Sequence, residues 1–133
     1  MEPDLLRTTA EALSEEDRER FLGLCEARDA ATLRRDADRI ATHLNTITLF
    51  AAEDSLVDLK LAQSIAAALL ELIVAADRLT FEQRRLVAGA IEYFVETGDA
   101  ADDFRGLSGL EDDARITRAV CAAVGRPELA RNW

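Results

Sequence analysis

Residues 93–116 read YFVETGDAADDFRGLSGLEDDARI, where Asp99, Asp102, Asp103, Glu111, Asp112 and Asp113 gather around three glycines. Arg105 is the one base between Thr97 and Asp113. Grouped carboxylates supply two kinds of chemistry: hard oxygen ligands for Mg²⁺ or Ca²⁺, or negative charge for the positive end of a helix. A metal site would draw on Asp99, Asp102, Asp103, Asp112 and Asp113 and would make the chain a metal-dependent enzyme or a divalent-metal sensor. The spacing does not fit a calcium loop, which requires oxygen ligands at its third and fifth positions, Gly at its sixth and Glu at its twelfth. Counted from Asp99, the third, sixth and twelfth places hold Ala101, Phe104 and Leu110. Capping fits better. Gly98 can end one helix in the left-handed conformation, Asp99 can open a turn, and Glu111 or Asp112 falls at the start of a final helix, where a carboxylate contributes about 0.3 to 1 kcal/mol.

Elsewhere the inventory for chemistry is thin. The single histidine, His43, and two separated cysteines cannot build a nucleophilic triad or a zinc site. No glycine-rich phosphate loop with its lysine is present. The sequence therefore assigns no catalytic residue, no metal and no cofactor. His43 flanks an apolar stripe and reads as a partly exposed structural residue. Cys25 and Cys121 sit among apolar neighbours and read as reduced core thiols, with a disulfide between them as the alternative.

Stepping outward from the acids, the surrounding segments are helical. DLLRTTAEAL, preceded by Pro3, predicts a short opening helix, and Ser14 with Glu15, Glu16 and Asp17 predicts a capped second helix running to about Arg28 and burying Phe21, Leu24 and Cys25. A third begins near Asp29 or Thr32, with Leu33, Ala37, Ile40, Leu44, Ile47 and Ala51 on one stripe. A cap around Glu53, Asp54 and Ser55 precedes a helix over 55–78 that is apolar on nearly every side and therefore suits a central position. Thr80 and Gln83 form a capping box for a helix over 80–96, which would bury Leu86, Val87, Ala90, Ile91 and Phe94 and turn Glu82, Arg85, Gly89, Glu92 and Glu96 away. A last helix carries Ile116, Ala119, Val120 and Ala123 inward and stops at Gly125 before Pro127. The expected fold class is all-α: one compact domain over 1–133, a bundle of five or six helices around a buried central helix.

Composition agrees. The chain has 133 residues, 49% hydrophobic but only 5% aromatic, with good helix formers in abundance. Lys60 is the only lysine among 16 basic residues, which reads as a coding preference for arginine. The net charge of −10 is spread along the chain and disfavours nucleic acid as a partner, since phosphate binding depends on a basic surface. The same charge would suit an acidic inhibitor or decoy of a basic protein. The first twenty residues carry charges throughout without an apolar signal core, and the longest uncharged run in the most apolar segment, LAQSIAAALL, is too short for a membrane span. A cytoplasmic, soluble protein is expected.

The stretch also resembles the signature of the YkvA-like domain, a small bacterial helical family. Tyr93, Phe94, Asp99, Asp103, Phe104, Gly109, Asp112, Asp113 and Ala114 fall on the family pattern without gaps. Thr97, Ala100, Ala101, Asp102 and Glu111 stand where the family has proline or apolar residues. The resemblance implies a helical hairpin, connection and final helix over 53–126, locked by Tyr93, Phe94, Asp99, Asp103, Phe104, Gly109, Asp112 and Asp113, in a family without an established activity. Residues 1–52 have no counterpart in it. AADRLTFEQRRLVAGAI is similar, more generically, to TerB-like helical domains. The expected function is a non-enzymatic interaction or scaffold module that binds a protein partner or itself.

Overall fold

The computed structural model describes residues 4–53, 58–96, 107–131 and 133. Among them there is no strand: α1 (Leu5–Ala10), α2 (Glu15–Leu24), α3 (Ala30–Glu53), α4 (Leu59–Val74), α5 (Phe81–Glu96) and α6 (Leu107–Ala123) pack into an all-α bundle. Short 3₁₀ turns follow α4 (Ala76–Arg78) and α6 (Pro127–Ala130). Pro3, Asp54 and Ser55 lie outside the described residues.

Local capping chemistry places most of the helix starts. Asp4 accepts from the Leu6 amide at 3.0 Å, Ser14 Oγ from the Asp17 amide at 3.3 Å, Asp29 from Thr32 at 2.8 Å and Asp58 from Leu61 at 3.0 Å. The Thr80–Gln83 box closes reciprocally, at 2.9 and 3.1 Å. At the other end of the chain, α6 stops at Gly125, whose φ of 79° is the left-handed conformation, while the Arg126 amide reaches back to the Cys121 carbonyl at 2.8 Å. Leu129 and Trp133 then pack on the core.

The central helix is α5 rather than α4. Every residue from 86 to 94 is buried, and α5 packs against each of the other five helices. By contrast α4 keeps Ala67 and Val74 exposed and buries one broad face through Ala62, Ile65, Leu69, Leu72 and Ile73. Hydropathy favoured α4 because a helix rich in Leu, Ile and Ala needs little polar surface. What makes α5 central is that its polar residues have partners inside the bundle.

Gly89 is one reason this packing works. A Cβ on Gly89 would sit 2.5 Å from Cys25 Sγ and 2.9 Å from Phe21 Cε1, so the end of α2 lies against bare backbone. The face of α5 containing Arg85, Gly89 and Glu92, expected to be turned away, is thus covered by α2 and the α2–α3 connection. Gly23, on α2, faces open space. Gly89→Ala should lower stability in urea unfolding by about 1 to 3 kcal/mol through overpacking. Gly23→Ala should leave it unchanged or raise it by up to about 1 kcal/mol. Equal effects of the two substitutions would contradict the close approach at Gly89.

Candidate functional site

The acid-rich stretch meets the described structure at both ends. At its start, Tyr93 is buried at the end of α5 and its hydroxyl donates to Asp17 Oδ1 at 3.0 Å. Burial, then the bond to Asp17, pushes the phenol well above its ordinary pKa, and the Arg20 guanidinium lies 4.8 Å from the ring centre. Asp17, in the first turn of α2, thus joins that helix to the end of α5 through its carboxylate. At the far end, α6 begins at Leu107, so Glu111 and Asp112 occupy its second turn and do not cap it. The reason is Leu110, 2% exposed, which extends the apolar stripe of α6 one turn earlier than the acids suggest.

Asp112 instead pairs with Arg115 one turn on, at 3.3 Å, and the same guanidinium stands 4.0 Å from Asp17. Burial, then the charge of Asp17, raises the Asp112 pKa. The structure thus brings Tyr93 and Asp112 to one corner, through Asp17 and Arg115. Phe94 turns elsewhere and meets the His43 ring edge-on, with centroids 4.8 Å apart at 86°. Gly109 lies within α6, and Asp113 is buried on its inner side. Asp99, Asp102, Asp103 and Phe104 lie outside the described residues. Among the described residues, no three His, Cys, Asp or Glu side chains group to hold an ion.

A second charged assembly, not anticipated from the sequence, lies deeper. Arg28 in the α2–α3 connection donates to Asp36 at 2.8 Å and to Glu92 at 2.7 Å. Arg39 forks onto both oxygens of Glu92, one contact being 3.0 Å, and reaches Asp36 at 3.2 Å. The side chains of Arg28, Asp36 and Glu92 are 11%, 9% and 9% exposed, whereas Arg39 at 44% opens the assembly to solvent. Glu26 touches its rim at 3.4 Å. The Arg39 fork, with Arg28 adding to it, holds the Glu92 carboxyl below its ordinary pKa despite burial. Neighbouring arginines complete the fastening. Arg84 donates to the Arg28 and Leu79 carbonyls at 3.1 and 2.8 Å, and Arg85 donates to the Cys25 carbonyl at 3.0 Å.

These contacts correct three expectations. The second helix ends at Leu24 rather than Arg28, because the chain must leave the helix to aim Arg28 inward. The buried stripe of α3 runs Leu33, Asp36, Ile40, His43 and Ile47, rotated from the expected face, with Ala37, Leu44 and Ala51 at its flank. His43 is accordingly buried, 8% exposed, and burial lowers its pKa. The readable signal was Asp36, set three residues after Leu33 and four before Ile40.

The assembly fastens the α2–α3 connection, α3 and α5 to one another. Cys25 and Cys121 are unpaired and buried, and burial raises their pKa values to about 12 and about 11, which makes poor nucleophiles of both. A shallow groove between α1 and α6 is lined by Leu5, Thr8, Thr9, Ala12, Ala119, Ala122 and Ala123, without a charged side chain. No helix among the described residues is long and apolar enough to cross a membrane. No protein-family model, curated protein or solved structure matches the chain.

Arg28→Met should destabilise the protein by about 3 kcal/mol or more, because it leaves two buried carboxylates to Arg39 alone. Urea midpoints against pH should separate two groups. The unfolded chain protonates His43 and Glu92 more readily than the folded one, so both contributions are present at neutral pH and lost on acidification. The His43 loss begins below about pH 6.5 and the Glu92 loss below about pH 4.3. Asp112 titrates with the opposite sign, and both variants retain it. His43→Leu should flatten the upper limb and Glu92→Gln the lower. An upper limb unchanged in His43→Leu would contradict the burial of that ring.

Proposed function

We propose that this chain is a non-enzymatic protein-interaction module of a bacterial cytoplasmic system, a charge-fastened helical frame that offers its α1–α6 groove to an apolar helix of a protein partner. The groove carries this reading. Its walls are uncharged and built largely of alanine, with the Thr8 and Thr9 hydroxyls donating to the Asp4 and Leu5 carbonyls, so a partner helix can approach closely. Among the described residues the large exposed apolar side chains are Leu49, Val74 and Phe81, on α3, α4 and α5, and Leu49 lines a smaller recess with Phe50, Thr46 and Glu53 along a single helix. The buried charges add support, since Arg28, Asp36 and Glu92 are engaged in holding helices together. Kinship with YkvA-like domains belongs to the same proposal and rests on the run from Tyr93 to Ala114.

Ala122 is exposed at the groove in the last turn of α6, where a glutamate meets the negative helix end at a cost of about 0.3 to 1 kcal/mol. Affinity capture from the native host, with light scattering for self-association, should show a complex that Ala122→Glu abolishes while unfolding stability stays within about 1 kcal/mol. Capture that survives Ala122→Glu would overturn the groove reading. If such capture disappears in salt, the acidic-inhibitor alternative gains instead.

A further inference from the structure

Next to the apolar groove along α6, where Glu111, Arg115, Arg118 and Ala122 follow one another at helical spacing, lies a recess of different chemistry. Asp58 and Leu61 from the start of α4, Glu111, Ala114, Arg115 and Arg118 from α6, and Trp133 enclose about 370 Å³. Such a volume falls in the range of small-molecule sites. Its charged groups are not equally engaged. Arg115 is committed to Asp112 at 3.3 Å, and Asp58 caps α4 through the Leu61 amide at 3.0 Å. Arg118 stands over the Trp133 ring at 6.0 Å from its centre, an aromatic contact that leaves its donors able to take an anion. Glu111 is exposed, and among the described residues no cation pairs with it.

The recess is therefore lined by guanidinium and carboxylate groups together with an apolar wall made by Leu61, Ala114 and the indole. A simple anion would face Asp58 and Glu111 on a chain of net charge −10. A simple cation would face Arg115 and Arg118. We infer that the recess binds a small zwitterion, an α-amino acid with an apolar side chain. Its carboxylate would lie on Arg118, its ammonium beside Glu111 and Asp58, and its side chain on Leu61, Ala114 and Trp133. This ligand site shares α6 with the proposed partner groove but shares no residue with it, so either can fail alone.

Trp133 is the only tryptophan, so its fluorescence reports on the recess directly. Titration of the full chain with L-leucine should give a saturable fluorescence change, matched by heat in calorimetry. Two probes carrying one charge each, 4-methylpentanoate and isoamylamine, should bind at least about tenfold more weakly. Arg118→Gln and Glu111→Gln, both at exposed positions, should each weaken leucine binding by about tenfold or more, with circular dichroism and melting temperature unchanged. No saturable signal from leucine up to about 20 mM would overturn the inference, since a site weaker than that recognises little. So would equal binding of the single-charge probes, or wild-type binding by Arg118→Gln.

Discussion

Arg28, Asp36, Arg39 and Glu92 meet where the α2–α3 connection crosses α3 and α5, and the placement of these three elements follows from their need for one another. Taking charge out of water costs several kcal/mol per ion, recovered only when each charge keeps a partner in good geometry. Two cations and two anions, with Arg39 forked on Glu92, meet that condition. The arrangement dictates where α2 ends, which way α3 is rotated and why a glutamate sits in the middle of the most buried helix.

Arginine does related work at other corners. Arg18 donates to the Ala10 and Leu13 carbonyls after α1, Arg84 to the Leu79 and Arg28 carbonyls, and Arg85 to the Cys25 carbonyl. A guanidinium has five donors in a planar fork and can hold carbonyls on two segments at once, which a lysine ammonium does less well. A chain with sixteen basic residues and one lysine thus makes physical sense beyond any coding preference. Gly89 is the steric counterpart: the backbone that Arg85 fastens can lie on α5 only because no side chain stands there.

Two recesses of contrasting chemistry adjoin α6. With α1 it closes an uncharged groove, and with α4 and Trp133 a recess of mixed charge. Both depend on how α6 is set against α5, which the Tyr93–Asp17–Arg115–Asp112 corner helps to hold. The acids that first suggested a metal loop act, at least in Asp112, as part of that corner.

Residues a few places apart were enough to read the all-α class, the caps at Ser14, Asp29 and Thr80, the stop at Gly125 and most of the apolar core, because each depends on hydrogen bonds or periodicity within a turn or two of helix. Leu110 could have been read the same way, as one more turn of the α6 stripe, but the neighbouring acids drew attention to themselves. Glu92 could not. Its carboxylate lies 64 residues from Arg28 and 53 from Arg39, and on a helical wheel it looks like any solvated glutamate. Hydropathy measures the cost of leaving water residue by residue, whereas a partnered charge recovers that cost only through a contact made when the chain has closed. For that reason the choice of α5 as the centre, the burial of Asp36 and His43, and the seat of α2 on Gly89 belong to the folded bundle and not to any stretch of its sequence.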